Sequence, residues 1–326
     1  MQPQAREISL LEGIKPELGR VEEEMYRLLK TDDRLLAESS THLLKGGGKR
    51  LRPALVILSA GLFGPISDAV ISVAAAAEII HMATLVHDDV VDDAGTRRGI
   101  PTINARWSAD LSILLGDYLF ATAFSTLAAT GDNRVVRIMA DVVFQMCSGE
   151  IRQMEEEFDA RQSEEDYLRR IEQKTAYFIA ECCHLGGLLG GASDAEAQAL
   201  RRYGNGLGMG FQIVDDILDF QANVATLGKP VGSDLRSGVI TLPVIHALVR
   251  SDDADLIRSI ITKRSIGDEE VEQVTRALEA AGSFDYAYRL ALKYVRDARE
   301  SLASLPQVPT LKTLETLTEF VLKRDF

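Results

Sequence analysis

The longest apolar run of the chain begins near Asp68 and ends in the acidic stretch His-Asp-Asp-Val-Val-Asp-Asp at residues 87–93. Read as a helix, a run of about 26 residues spans about 40 Å. Ser72, Glu78 and His81 interrupt its apolar surface, which argues against a membrane span. A helix that is apolar on most sides has to be covered by other helices. The run therefore predicts a buried central helix, with Ser67 or Asp68 as its N-cap.

Helical periodicity recurs along most of the remaining chain, and no sustained alternation of apolar and polar residues indicates a strand. We therefore predict one all-α domain over residues 1–326, without a linker. Two longer loops are expected at 95–102 and 221–241, each following an acidic cluster. Further helices are predicted at 15–29, 33–44, 53–62, 110–129, 133–158, 164–189, 195–220, 242–249, 254–262, 268–281, 286–305 and 311–322.

The charge and the cysteines restrict the class of protein. A net charge of −13 argues against nucleic acid or an anionic membrane surface as the main partner. The three cysteines, Cys147, Cys182 and Cys183, show no disulfide spacing, which favours a reducing compartment. The first residues lack the apolar region of a signal peptide. We expect a cytoplasmic protein without a transmembrane segment.

Paired aspartates point to a metal site. Asp88 and Asp92 share a helix face one turn apart, and their like charges cost a helix about 0.2–0.5 kcal/mol. Divalent cations, which prefer carboxylate oxygens, would remove this repulsion. Asp215 and Asp219 repeat the pattern, with Gln212 beside them. If the two helix ends face each other, their carboxylates form one pocket for several cations and a ligand such as a diphosphate.

A glycine-rich loop is the second candidate site. Residues 45–53 read Lys-Gly-Gly-Gly-Lys-Arg-Leu-Arg-Pro, so three glycines free backbone N–H groups for an anion and four cations surround them. Its spacing is not that of a nucleotide P-loop. Arg97 and Arg98 follow the first aspartate cluster and can pair either with its carboxylates or with an anion held by metal there.

Two other classes of protein share part of this pattern. Glu78 with His81 and Glu181 with His184 form two Glu-x-x-His pairs, the ligand pattern of a di-iron carboxylate bundle. That class leaves both aspartate clusters and the glycine loop unexplained. A class I terpene cyclase also uses Asp-Asp-x-x-Asp but lacks this loop and the second aspartate-rich copy.

These motifs together resemble those of the trans-isoprenyl diphosphate synthases, the polyprenyl synthetase family, over nearly the whole chain. The resemblance implies an all-α bundle of helices around a central cavity and Mg²⁺-dependent condensation of isopentenyl diphosphate with an allylic diphosphate. The residues that carry it are the 45–53 loop, His81, both aspartate motifs, Arg97, Arg98, Gly116, Asp117, Lys174, Thr175, Phe211, Gln212, Gly228 and Lys229.

Roles for individual residues follow from the resemblance. Up to three Mg²⁺ ions are expected at Asp88, Asp92, Asp215 and Asp219. The catalytic residues are expected to be the six motif aspartates, thus also Asp89 and Asp216, together with Lys174, Thr175 and Gln212. The allylic diphosphate is expected to contact Arg97, Lys174, Thr175, Gln212 and Lys229. Isopentenyl diphosphate is expected to contact Lys49, Arg52, His81 and Arg98.

The product length and the partners are also expectations from the resemblance. Many short-chain relatives carry a lysine shortly before Thr-Leu-Pro, where this chain has Val239 and Ile240. Ala83 and Thr84 are small and Ile80 is deeper on the same flank, which favours a longer product, roughly six to eight isoprene units, buried along the helix. The alternative is a geranylgeranyl or farnesyl diphosphate synthase. We expect a homodimer or a heteromer with a small regulatory subunit, with the product handed to the membrane. A non-catalytic subunit is disfavoured because all six aspartates are present.

Overall fold

The computed structural model describes residues 11–97, 99–221 and 231–323, and this part of the chain is all-α, as predicted. Its two strands, β1 (Thr96–Arg97) and β2 (Ile100–Pro101), form a short antiparallel hairpin. The helices are α1 (Lys15–Leu28), α2 (Arg34–Lys45), α3 (Leu51–Ala60), α4 (Asp68–Val91), α5 (Ile103–Arg106), α6 (Ala109–Ala129), α7 (Asn133–Glu155), α8 (Glu164–Ile171), α9 (Tyr177–Gly190), α10 (Asp194–Gln221), α11 (Ser233–Arg236), α12 (Leu242–Arg250), α13 (Ala254–Thr262), α14 (Asp268–Ala280), α15 (Ser283–Ser301) and α16 (Pro309–Leu322).

The central helix predicted from the apolar run is α4. Ser67 caps its first turn, because the serine hydroxyl accepts a hydrogen bond from the Val70 N–H. The helix ends at Val91, two residues before the predicted end. Asp93 adopts a left-handed conformation with φ of 49°, which aspartate tolerates better than most side chains and which stops the helix.

The chain forms two compact units. The first contains the described residues up to Ala140, with Cys182–Leu200 and Leu305–Thr313. In it, α1, α3 and α6 pack around α4, whose Ala74, Ala77 and Ile80 are fully buried. The second contains Asp141–Glu181, Arg201–Ser304 and the described residues from Leu314 onward. Its core is built mainly from α10, α12, α14 and α15. A single domain over residues 1–326 stays a prediction.

Several element boundaries differ from the prediction. The helix predicted at 164–189 is interrupted by a π turn at Glu172–Ala176, which joins α8 to α9. The predicted loop at 221–241 contains the one-turn helix α11, and the predicted loop at 95–102 contains the β1–β2 hairpin. A single turn or a two-residue strand carries too few residues for periodicity to reveal it.

Two described helices, α4 and α6, are long and apolar enough to cross a membrane when judged by length and composition. In α4, 72% of the tested window is buried inside the protein, and in α6 the share is 44%. For α4 the apolar surface is thus used mainly in the core of the first unit, as the sequence predicts. In α6, Ile113 and Leu114 remain exposed.

Close helix packing in the first unit depends on Gly186 and Gly190 in α9. A Cβ atom added at Gly186 would collide with the Val56 carbonyl oxygen of α3, and one added at Gly190 would lie 2.6 Å from the Ala60 carbonyl oxygen. In the second unit, Gly208 likewise allows close approach to Ala176. Glycines thus set how near these helix backbones lie.

The substitution Gly186→Ala should lower the free energy of unfolding by about 1–3 kcal/mol, because the added methyl group collides with backbone that has no room to yield. Urea denaturation at constant m-value measures this change. Gly64→Ala is the matched control, since a Cβ there meets nothing within 4 Å. Equal midpoints for the two variants would contradict the packing described for α9 and α3.

Candidate active site

The first aspartate-rich segment closes the C-terminal end of α4. Asp88 is half-buried and Asp92 is exposed at the helix end, so both carboxylates are accessible to solvent. The intervening Asp89 is different, with only 4% of its surface exposed. The Arg97 guanidinium of β1 donates from Nε to Asp89 Oδ1 over 2.7 Å. The segment thus has Asp88, Asp92 and Asp93 toward solvent and keeps Asp89 inside in an ion pair.

The second segment, in the last turns of α10, shows the same division. Asp215 is exposed and Asp219 is half-buried, whereas Asp216 between them is only 3% exposed. The Asp219 carboxylate accepts hydrogen bonds from the backbone N–H groups of Ser233 and Asp234, each at 3.2 Å. These bonds hold the first turn of α11 next to the end of α10. The two segments therefore agree in sequence and also in which of their motif aspartates is buried.

The inward Asp216 carboxylate receives hydrogen bonds from two neutral donors. Tyr167 in α8 donates its hydroxyl to Oδ2 over 2.7 Å, and Gln212 donates from Nε2 to Oδ1 over 2.9 Å. Burial and the nearby Asp234 raise the pKa of Asp216 well above its usual range, while the two hydrogen bonds lower it. Tyr167 could not be identified from the sequence, because no pattern distinguishes it from the other seven tyrosines of the chain.

Lys174 and Thr175 lie in the π turn. The Lys174 ammonium pairs with Glu150 over 2.6 Å and donates to Gln153 Oε1 over 3.2 Å, and both partners are on α7. The Thr175 hydroxyl donates to Gln212 Oε1 over 3.0 Å. Such π turns are frequent at functional sites because they redirect side chains within a helix. Three predicted site residues, Lys174, Thr175 and Gln212, are thus close together in the second unit.

The glycine-rich loop leads into α3 through Arg50, which has a left-handed backbone with φ of 50°. A non-glycine residue is strained there. Its guanidinium points inward and donates from Nη1 to Glu78 Oε1 of α4 over 2.9 Å. Of the four cations predicted around the glycines, Arg50 therefore belongs to a buried ion pair, with 11% of its side chain exposed.

A pocket in the first unit brings several predicted site residues together. It lies where the glycine loop, the middle of α4 and the β1–β2 hairpin meet. Its polar lining combines the backbone of two glycines with side chains of both signs. The lining includes Gly46, Gly47, Arg50, Glu78, His81, Asp89 and Arg97.

Other predicted residues have the following positions. Ala83 and Ile80 are fully buried in α4, while Thr84 is half-buried and donates its hydroxyl to the His81 carbonyl. Arg98 and Lys229 lie outside the described residues. The described residues contain no group of three or more His, Cys, Asp or Glu side chains arranged to hold a metal ion.

The di-iron alternative is not supported. Glu78 pairs with Arg50, and Glu181 pairs with Arg201. Both glutamates that such a centre requires are thus engaged by arginines, which is the usual way to satisfy a buried carboxylate. Their positions in the fold are explained by these ion pairs.

Comparison with known proteins agrees with this arrangement of motifs. A family model described as Polyprenyl synthetase matches residues 33–278. Heptaprenyl diphosphate synthase component 2 of Geobacillus stearothermophilus is 40% identical over 317 residues, which are 96% of this chain and 97% of that protein. A decaprenyl diphosphate synthase structure from Rhodobacter capsulatus has a TM-score of 0.93 at 35% identity and covers 98% of this chain and 99% of its own. A polyprenyl synthase from Caulobacter crescentus CB15, complexed with calcium and isoprenyl diphosphate, has a TM-score of 0.91 at 33% identity, with 97% of both chains covered.

The Arg50–Glu78 pair makes a prediction about stability. Glu78→Ala should lower the free energy of unfolding by about 3 kcal/mol, because it leaves Arg50 with only the exposed Glu22, whose Oε1 lies 3.5 Å from its Nε. Chemical denaturation measures the loss. The control is Glu38→Ala, which breaks the exposed pair with Arg34 in the same unit and should barely move the midpoint. If Glu78→Ala is as stable as its control, the inward pair does not hold the loop.

Proposed function

Because this chain belongs to the polyprenyl synthetase family and is a trans-polyprenyl diphosphate synthase of the medium- to long-chain class, we propose that Asp88, Asp92, Asp215 and Asp219 bind Mg²⁺. The observation that carries the proposal is the shared division of both segments, in which the first and last carboxylates are accessible and the middle one is held inside. Family members generally depend on divalent metal, and carboxylate oxygens suit Mg²⁺. We expect up to three ions by analogy with the family.

The reaction we propose is head-to-tail condensation of isopentenyl diphosphate onto an allylic diphosphate. The allylic carbon–oxygen bond breaks, the double bond of isopentenyl diphosphate attacks the resulting carbocation, and a proton is lost to the released diphosphate. Bound Mg²⁺ would neutralise the charge that accumulates on the departing diphosphate oxygens. The aspartates would hold the positive charge of Mg²⁺ in place before the reaction begins. This lowers the energy of the transition state more than that of the ground state. Thr175 and Gln212 contribute uncharged dipoles, which stabilise a carbocation without forming a covalent adduct. The middle aspartates, Asp89 and Asp216, act by positioning Arg97 and Gln212.

For the allylic diphosphate, we propose contacts with Arg97 and Lys174, with Lys229 as a further contact predicted from the resemblance. Arg97 is supported by its position beside the first aspartate segment, with 35% of its side chain exposed while it pairs with Asp89. Lys174 is similarly 35% exposed beside Glu150. Cations held by a carboxylate on one side and open on the other suit an anionic ligand.

For isopentenyl diphosphate, we propose His81, supported by the pocket in the first unit that it lines together with Gly46 and Gly47. Lys49, Arg52 and Arg98 are proposed from the resemblance; Lys49 and Arg52 are not among the residues that line this pocket. Backbone N–H groups of a glycine turn and flanking cations form a suitable environment for a diphosphate. Arg50 holds the turn in place through Glu78 rather than contacting the substrate.

The oligomeric state we propose is a homodimer that uses the outer face of α6. Ile113 and Leu114, adjacent large apolar side chains on this helix, are 47% and 64% exposed, and burying them against a second copy of the chain would be favourable. The relative named component 2 makes a heteromer with a second, small subunit the alternative. We also propose a cytoplasmic location, one functional domain over residues 1–326 and transfer of the product to a membrane.

The metal proposal predicts that Asp88→Ala and Asp215→Ala each lower kcat by at least about 100-fold, the scale of losing one preorganised electrostatic element. Both variants should stay folded, since each removes a repulsive charge from a helix end. Steady-state kinetics at saturating Mg²⁺ measures the loss. Asp252→Ala, an exposed loop aspartate, serves as the control and should keep full activity. Wild-type turnover in both motif variants would refute the metal assignment.

Product length is proposed to be roughly six to eight isoprene units, because the apolar tail must be buried and the flank of α4 below Asp88 is lined by small residues. Farnesyl or geranylgeranyl diphosphate is the proposed primer. Ala83 is fully buried and Thr84 is half-buried, so Thr84 presents its side chain more directly to that flank.

Larger side chains on this flank of α4 should shorten the product. Ala83→Tyr and Thr84→Tyr should each give a product of about three or four units, because an aromatic ring occupies the room for the tail. Thr84→Tyr should shorten the product with the smaller loss of stability, since Thr84 is half-buried whereas Ala83 is fully buried. Chromatography of labelled products measures length, and the rate of the first condensation is the internal control. Wild-type product from both variants would show that the tail does not follow this flank.

A further inference from the structure

We propose that Tyr167 is a positioning residue for the condensation, and that it acts through Asp216 by fixing the direction of the Gln212 amide. The inference rests on the proposed function, in which Gln212 and Thr175 stabilise the carbocation. It adds a residue that lies outside every sequence motif discussed above. All four side chains belong to the second unit.

Four side chains form one continuous hydrogen-bonded chain. The Tyr167 hydroxyl donates to Asp216 Oδ2 over 2.7 Å, and Gln212 Nε2 donates to Asp216 Oδ1 over 2.9 Å. At the other end of the amide, the Thr175 hydroxyl donates to Gln212 Oε1 over 3.0 Å. The chain therefore runs from the core of the unit to the π turn that carries Lys174.

The carboxylate of Asp216 decides which way round the amide lies. The two ends of a glutamine amide have nearly the same size, so packing alone distinguishes them poorly. With the Tyr167 hydroxyl on Oδ2, Oδ1 of Asp216 accepts from Nε2 of Gln212. The carbonyl oxygen of Gln212 lies at the other end of the amide and accepts from the Thr175 hydroxyl. The negative end of the dipole thus points toward the π turn.

Tyr167 keeps the carboxylate in the orientation that this requires. Its ring is fully buried, and Asp216 is 3% exposed, so water is a poor substitute for a missing donor. With the hydroxyl on Oδ2, the other oxygen is directed at Gln212. Without the hydroxyl, both oxygens depend on a single amide, and Asp216 has no second contact among these side chains to stop it from rotating. The tyrosine is held in turn by packing, with the Arg170 guanidinium 5.7 Å from its ring centre.

The consequence for the reaction is specific to the chemical step. A carbonyl oxygen directed toward a developing carbocation stabilises it, whereas an amide in the reverse sense presents its N–H groups and destabilises it. Neither arrangement changes the charge that holds the two diphosphates. Loss of the tyrosine hydroxyl should therefore lower the rate of condensation and leave both KM values nearly unchanged.

The test compares two tyrosines that differ in their partners. Tyr167→Phe should lower the single-turnover rate of the first condensation by about tenfold, with both KM values within about twofold of wild type. Tyr203→Phe is the matched control, because Tyr203 is equally buried in the same unit and donates its hydroxyl to the Leu314 carbonyl. It should lose comparable stability and keep the wild-type rate. Equal rates for the two variants would overturn the proposal.

A double-mutant cycle shows whether Tyr167 acts through Gln212. Adding Tyr167→Phe to Gln212→Ala should cause no further loss of rate, since the dipole that it orients is already gone. A full additional loss would mean that the tyrosine acts elsewhere, which would also overturn the proposal. If Gln212→Ala alone retains the wild-type rate, the proposed role of Gln212 fails, and this outcome is separate from any effect of Tyr167.

Asp216→Asn provides a second route if Tyr167→Phe does not fold. Asparagine has the same size and carries no buried charge, so thermal stability should be kept, but its amide no longer specifies which end of Gln212 faces it. The single-turnover rate should fall by about tenfold, with no added loss in the Gln212→Ala background and no change in the Mg²⁺ concentration for half-maximal rate. A wild-type rate in Asp216→Asn would refute the orienting role.

Discussion

Carboxylate repulsion at the ends of two apolar helices is the constraint on which the rest of the structure depends. Four aspartates cluster at the end of α4 and three at the end of α10, and the folded chain must lower the cost of holding these charges together. Within the Asp-Asp-x-x-Asp motif of each cluster, the three carboxylates lie in different environments. The middle carboxylate turns inward to a fixed donor, Arg97 for Asp89 and Tyr167 with Gln212 for Asp216. The outer two stay accessible for cations.

Three short elements contact the aspartate segments or the side chains bonded to them. The β1–β2 hairpin places Arg97 beside Asp89, and the one-turn helix α11 begins where its backbone N–H groups reach the Asp219 carboxylate. The π turn brings Thr175 within hydrogen-bond distance of Gln212. Leu235 of α11 and Ala176 of the π turn also join the core of the second unit, so these short elements act on both packing and the electrostatics of the helix ends. Stability is supplied mainly by the cores of the two units.

Sequence alone predicts the long elements because their periodicity is sustained. The central helix, its Ser67 cap and the aspartate pairs follow from side-chain spacing, and the resemblance to a family follows from the motifs. What sequence does not reveal are features set by tertiary contacts. The inward turn of Arg50, the π turn and the partner of Asp216 each depend on residues distant along the chain, such as Glu78 and Tyr167. No local pattern encodes which of several donors a buried carboxylate meets.

The central claim is that this chain elongates an allylic diphosphate with the help of divalent cations at its aspartate clusters. The most direct measurement is product analysis after incubation of the purified chain with Mg²⁺, farnesyl diphosphate and labelled isopentenyl diphosphate. The account predicts labelled products of roughly six to eight isoprene units, buried as they grow, and no label without Mg²⁺. Incorporation that is equally fast with Mg²⁺ removed by a chelator, or a product that stops at or below about four units, would contradict it.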